Sequence, residues 1–188
     1  NKQNYINAIT LCDTNIRKFY DSPILPKIEM LKAVSIAKEF GYNRYMEQLN
    51  FIKLNYSNSI EGKEAEFIIK NVLPLLSSTI FIDNEEANSF KILYPFSNAS
   101  NTDIESFDTI ITQAVNEIEY LDLKTSKDHY NNIVTFVVLH GLKSYDGAMG
   151  LSEMLNEKAE INNKKSFVVS SENYKTIQIH KNLEEYLK

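Results

Sequence analysis

The apolar side chains of this 188-residue chain change their spacing once, and that change limits it to a mixed α+β fold. Up to about residue 77 they recur at intervals of three and four, the period of a helix; from Ser89 they alternate, the period of a strand. Tyr5, Ile6, Ile9, Cys12, Ile16 and Phe19 predict a helix over roughly 2–20. Pro23 and Pro26 break it, because a ring without an N–H cannot continue a helix interior. Pro26 suits the first turn of a second helix reaching about Phe40, with Ile28, Leu31, Ile36 and Ala37 turned inward. Gly41 stands where a left-handed cap is wanted. A third helix is expected over 43–55, with Met46, Leu49 and Ile52 inward, and Ser57-Asn58-Ser59 opens a fourth that runs to about Leu76.

Two of the turns look alike. Tyr20-Asp21-Ser22-Pro23-Ile24-Leu25-Pro26-Lys27 aligns with Tyr56-Ser57-Asn58-Ser59-Ile60-Glu61-Gly62-Lys63, with Tyr20/Tyr56, Ile24/Ile60 and Lys27/Lys63 matching at an offset of 36. That is close to the ~34-residue period of tetratricopeptide helix hairpins, which stack because one hairpin cannot bury its apolar face alone. Residues 1–77 therefore read as tetratricopeptide-like helical repeats and 78–88 as a linker around Ile80-Phe81-Ile82. A helix beginning with no leader is expected of a piece cut from a longer chain.

Beyond the linker the elements read β-α-β-β-α-β. Phe90, Ile92, Tyr94 and Phe96 alternate, and Pro95 restricts their strand to an edge or a strand end. Thr102-Asp103 offers a cap for a helix over 103–118 with Ile104, Phe107, Ile111, Val115 and Ile118 on one face. Residues 119–130 alternate weakly, whereas Ile133–Leu139 is nearly continuous and reads as a buried central strand. A helix over 145–159, a strand over 166–170 and two short helices capped by Asn173 and Asn182 complete 89–188, Asn182 and Glu185 having capping-box spacing. The order is that of the ferredoxin-like split βαβ fold, with a helical tail.

Composition then removes several functions. A net charge of −5, and 10 basic against 14 acidic residues from position 88 onward, leaves no Lys/Arg patch for phosphates, so nucleic acid is not an expected partner. One cysteine excludes an internal disulfide framework. Cys12 lies on an apolar helix position and reads as a core thiol. His129, His140 and His180 are too far apart in sequence for a ligand motif, so no metal is expected, and no Walker loop, nucleophile elbow or dinucleotide fingerprint points to a cofactor. His140 reads as a strand-end residue, Asp122 and Asp128 as solvated carboxylates, and Gly147 and Gly150 as close packing of a helix on the sheet. Composition alone does not say what the chain does. Tyr42, Tyr45, Tyr94 and Phe96, near turns or strand ends, are the candidate partner-binding anchors, because exposed aromatics often carry interface energy.

The stretches Ile24-Leu25-Pro26-Lys27-Ile28-Glu29-Met30-Leu31-Lys32-Ala33 and Leu54-Asn55-Tyr56-Ser57-Asn58-Ser59-Ile60-Glu61-Gly62-Lys63-Glu64-Ala65 resemble the last repeats of the SprE/PorW tetratricopeptide-repeat lipoproteins of gliding motility and type IX secretion. Val137-Val138-Leu139-His140-Gly141-Leu142-Lys143-Ser144 with Ala148 is similar to that family's strand-loop-helix. Phe167–Tyr174 and Asn182–Leu187 resemble its closing segment. Ser57 departs from the pattern, standing where such turns usually carry Pro. The resemblance implies a non-enzymatic scaffold at the periplasmic face of the outer membrane, held by a lipid anchor far upstream, with translocon and ring or motor proteins as partners. An alternative from the element order alone is a small-ligand-sensing module of the amino-acid-binding kind, although its loop Ser97-Asn98-Ala99-Ser100-Asn101 lacks the expected Gly.

Overall fold

The computed structural model describes residues 4–118 and 122–188. It is α+β: helices in the N-terminal part, then a four-stranded antiparallel sheet with helices. Two compact units emerge, one of the residues up to Ile80 together with Thr176–Lys188, the other Phe81–Lys175.

In the first unit α1 (Tyr5–Lys18), α2 (Leu25–Phe40), α3 (Tyr42–Asn55) and α4 (Ile60–Phe67) pack each on the next. A π-helical segment, Ile68–Val72, and a 3₁₀ turn, Leu73–Leu76, continue α4. Pro26 sits in the first turn of α2 as its missing N–H requires. Ala33, Leu49, Ile52, Ala65 and Leu73 form the core, with Tyr42, Tyr45, Met46 and Tyr56 packed around it. On α2 the inward stripe differs from expectation: Leu25, Glu29 and Ala33 point in, while Leu31 points out. Glu29 can be buried because Gln48 of α3 donates to its Oε2 at 2.7 Å, and desolvation holds its carboxyl above the usual range. Leu31 is three residues from Val34, and together they make an exposed apolar strip.

The helix ends on either side of the two look-alike turns bracket the sequence offset of 36. Phe19 caps α1 through its N–H to the Asn15 carbonyl, as Tyr56 caps α3 through its N–H to the Ile52 carbonyl, an offset of 37, while the N-caps of α2 and α4, Ile24 and Ser59, are 35 apart. The matched tyrosines differ in setting: Tyr20 is 86% exposed, whereas Tyr56 packs on the core.

The second unit holds β1 (Phe90–Ser97), α5 (Asn101–Asn116), β2 (Lys124–His129), β3 (Val134–Leu142), α6 (Tyr145–Asn156) and β4 (Phe167–Ser170) in the order β2-β3-β1-β4. Part of the weakly alternating stretch, 119–121, lies outside the described residues. α5 starts two residues earlier than expected, since Ser100 and Asp103 form a reciprocal capping box. Alternation along β1 sends Phe90, Ile92, Tyr94 and Phe96 to one face, where Ile104, Phe107 and Ile111 of α5 and Ala148 and Leu155 of α6 cover them. Both helices therefore pack on the same face. β1 is interior to the sheet, contrary to the restriction read from Pro95. β4 pairs with β1 only over Phe90–Leu93, so Pro95 lies past the end of β4 and its missing N–H breaks no ladder bond there. Of the two glycines of α6, Gly150 meets nothing and Gly147 meets only the capping Ser144 hydroxyl; the buried close-packing residue is Ala148.

Tyr94 is fully buried and, among the described residues, its hydroxyl has no hydrogen-bond partner; burial pushes its pKa up to about 12. Tyr94→Phe removes a desolvated polar group and keeps the ring contact with Phe107, 5.0 Å between centroids. It should raise the stability measured by urea unfolding by about 1 kcal/mol; a loss would mean that the hydroxyl is satisfied.

Two boundaries also move. Residues 81–88, read as linker, belong to the sheet unit: the buried Asn173 side chain clasps Ile82 at both backbone groups, its Oδ1 accepting from the Ile82 N–H and its Nδ2 donating to the Ile82 carbonyl, each at 2.9 Å. Asn173 thus cannot cap its helix, α7 (Ser171–His180); the Ser170 hydroxyl accepts from the Asn173 N–H instead. Residues 176–188, assigned by sequence to the second domain, group with the helices. There the His180 Nε2 donates to the Leu76 carbonyl at 2.9 Å and the His180 ring lies 5.1 Å from that of Tyr42. Asn182 heads a short helix, α8 (Leu183–Tyr186), without a capping bond from its side chain.

Candidate functional site

The four aromatic anchors named from sequence separate into two pairs. Tyr42 and Tyr45 lie on α3, half-buried against the core of the first unit. The Tyr42 hydroxyl donates to the Leu73 carbonyl at 3.1 Å, and desolvation followed by the Glu64 charge raises the Tyr45 phenol. Tyr94 and Phe96 are interior residues of the sheet core. As expected exposed anchors they are corrected: alternation aims both at the face that α5 and α6 cover, and proximity to a strand end does not override that. Lys164 Nζ sits 4.6 Å above the Phe96 ring.

The exposed apolar surface lies elsewhere. Leu11 on α1, Leu31 and Val34 on α2, Phe51 and Leu54 on α3, and Ile60 and Phe67 on α4 are all exposed, Leu54 at 77% and Ile60 at 78%. Scattered single apolar residues need no explanation, but each of α1–α4 carries at least one here. Sequence periodicity missed these positions because it assigns large apolar residues to the interior by default.

The sheet unit holds the other feature, on the face turned away from α5 and α6. Phe136, Val138, Leu93 and Val169 are buried there too, with the rings of Tyr130, Phe167 and Tyr174 around Phe136. Beside them runs a half-buried polar network. Lys91 Nζ lies 3.0 Å from His140 Nδ1, His140 Nε2 lies 2.7 Å from Ser126 Oγ, Ser126 Oγ donates to Asp128 Oδ1 at 2.8 Å, and the Tyr174 hydroxyl donates to Asp128 Oδ2 at 2.6 Å. A serine has one hydroxyl proton, and here it goes to Asp128. His140 must therefore donate through Nε2–H, which leaves Nδ1 as the acceptor for the Lys91 ammonium. The bonds run one way, Lys91 to His140 to Ser126 to Asp128, and Tyr174 closes the far end.

The backbone builds this geometry. Ser126 and Asp128 alternate onto one face of β2, while Thr125 and Lys127 face α5 through Thr112 and Asp108. Between the pairs Phe90–Leu142 and Ile92–Leu139, β3 carries one residue more than β1, a bulge at His140-Gly141. The bulge lets His140 face the network while Leu142 returns to the helix-covered core. Gly141 has φ +101°, and a Cβ there would lie 2.6 Å from the Asp122 carbonyl oxygen. Desolvation, then the Lys91 charge, lowers the His140 pKa, with Asp128 opposing. Desolvation also lowers that of Lys91, with Asp128 and Glu172 opposing.

Sequence reading took His140 for a strand end and Asp128 for a solvated carboxylate; both are members of this network. The arrangement does not activate Ser126. Its proton is held by a carboxylate and its oxygen accepts from the imidazole, so His140 cannot take that proton as a general base. Cys12 is buried, and desolvation together with Asp13 raises its thiol, which keeps it protonated and weakly nucleophilic. Among the described residues no cluster of three His, Cys, Asp or Glu could hold a metal ion, and no helix is long and apolar enough to cross a membrane. Comparison with family models, with curated proteins and with solved structures found no match.

Proposed function

We propose that this chain is a non-enzymatic protein-binding scaffold whose helical unit presents the docking surface. The reading rests on one observation: all four helices α1–α4 expose large apolar side chains, Leu54 and Ile60 at 77% and 78%, whereas in the sheet unit α6 exposes Tyr145, Met149 and Met154 at only 36–40%. Two finer assignments go with it. The helical unit is tetratricopeptide-like, supported by the sequential packing of α1 to α4 and the similar caps at Phe19 and Tyr56. The sheet unit is ferredoxin-like, supported by the strand order β2-β3-β1-β4 and by α5 and α6 sharing one face.

Within that class, we read the chain as the C-terminal part of a type IX secretion and gliding-motility lipoprotein of the SprE/PorW kind, facing the periplasm at the outer membrane and linking translocon to ring or motor. The sequence resemblance supports this particular assignment. Leu31→Asp combined with Leu54→Asp tests it, because both side chains are exposed and the changes should move stability by no more than about 0.5 kcal/mol each. Placed in the chromosomal copy of such a bacterium, the pair should abolish secretion of type IX cargo with the protein at normal abundance. Undiminished secretion, both with this pair and after deletion of all 188 residues, would refute the assignment.

A further inference from the structure

The polar network has a use that protein docking does not require. His140 Nδ1 receives the Lys91 ammonium at 3.0 Å, and the same ammonium lies 5.9 Å from the centre of the Tyr174 ring. Lys91 is thus wedged between the imidazole and the ring whose hydroxyl holds Asp128. We propose that this network is an acid-sensitive catch: protonation of His140 expels Lys91 from between the imidazole and the Tyr174 ring.

The argument is geometric. A protonated imidazole carries N–H on both nitrogens, so Nδ1 can no longer accept, and two cations would stand at hydrogen-bond distance. The other three bonds of the network survive the change, because Nε2 still donates to Ser126. Lys91 alone must move. When it does, Tyr174 loses a cation at its face, while the positive imidazole takes over from Lys91 as the charge that faces Asp128.

The charged groups that bear on the step oppose one another, and the balance is against a positive His140. Asp128 is already occupied by Ser126 and Tyr174 and favours a positive His140. Lys91, nearer, disfavours it, and desolvation disfavours it most. Glu172 acts on Lys91 and keeps it charged, and the exposed Lys124, opposite His140 across the β2–β3 ladder, adds a like charge at the strand edge. The sign follows from linkage. Folding lowers the proton affinity of His140, so the released state takes up the proton first. The catch is at full strength above the ordinary imidazole value of 6.5 and weakens as pH falls through it to the depressed folded value. Lys91, also depressed, titrates toward the alkaline side of this window and leaves the sign unchanged.

Hydrogen exchange on the full chain tests it. The Lys91 ammonium protons, corrected for intrinsic rates, should lose protection by about tenfold between pH 7.5 and pH 5, the scale of one charge-assisted hydrogen bond lost. His140→Gln can accept from Lys91 and donate to Ser126 but cannot be protonated; it should keep protection flat across that range. His129→Gln and His180→Gln should retain the wild-type loss. Nitrogen-15 spectra of the wild-type ring provide a second reading that needs no variant. They should show the Nε2–H form at neutral pH and a midpoint that rises in Lys91→Met. An Nδ1–H form at neutral pH, protection that does not fall with acid, or an undiminished fall in His140→Gln would each overturn the catch. None of these readouts depends on secretion, so the scaffold assignment stands or falls separately.

Discussion

Gly41→Ala should destabilise the protein by about 3–5 kcal/mol, the sum of backbone strain and overpacking. Gly41 closes α2 and opens α3 with no residue between them, its N–H donating to the Ala37 carbonyl and its own carbonyl accepting from the Tyr45 N–H. Its φ of 79° and ψ of −162° lie in a region that only glycine enters readily. A Cβ would also meet the Ile179 carbonyl oxygen at 2.6 Å and the Lys181 side chain at 2.8 Å. The helix pair cannot relax around the new methyl, because backbone stands on one side and the capped turn on the other. Thermal unfolding should show a midpoint about 10 °C lower, given the usual shift of 2–4 °C per kcal/mol for a chain of this size. Gly150→Ala is the control. Nothing approaches a Cβ there and the residue is helical, so the change should be neutral or stabilising by up to about 1 kcal/mol. Equal midpoints for the two variants would mean that Gly41 is not conformationally constrained.

Gly41 was legible from sequence because its signal is local: a helical run ends, and a residue with unusual backbone freedom follows. The same holds for Pro26, for the alternation at Phe90–Phe96 and for the strand expected over Ile133–Leu139, although β3 runs on to Leu142. Partnership was not local. Alternation divides the residues of β1 between two faces without saying which face is covered; here both are, so Tyr94 and Leu93 are equally buried. Tyr94 and Phe96 were placed by their distance from a turn, and parity proved the better guide. On α2, Glu29 lies inside and Leu31 outside because Gln48, on a different helix, supplies the hydrogen bond that makes the carboxylate tolerable. The network was hidden for a similar reason. Ser126 and Asp128 meet His140 only through the β2–β3 register, and β2 is a charged, weakly patterned strand whose register no apolar face announces. The bulge at Gly141, which turns His140 outward, is visible only once β3 is paired with β1.

Asp128→Ala should be the most damaging single change in that network. Asp128 is the terminus on which two hydroxyl protons converge, from Ser126 at 2.8 Å and from Tyr174 at 2.6 Å, and it supplies the negative charge that faces Lys91 across His140. Removing it takes the carboxylate acceptor from both hydroxyls and leaves a half-buried ammonium without the counter-charge of Asp128. Breaking a buried ion pair from one side costs 3–5 kcal/mol, and unsatisfied donors about 1–3 kcal/mol each. Because this carboxylate is only half-buried, water recovers part of both terms, and the expected loss is about 2–4 kcal/mol in urea unfolding at constant slope. Tyr174→Phe and Ser126→Ala each delete one donor and leave the acceptor in place, so each should cost only about 1 kcal/mol. The three changes should also fail to add: once Asp128 is gone, Tyr174→Phe no longer deletes a bond to the carboxylate and should cost less than it does in the parent protein. A coupling near zero between Asp128→Ala and Tyr174→Phe, or an Asp128→Ala variant within 0.5 kcal/mol of the parent protein, would place Asp128 among solvated carboxylates after all.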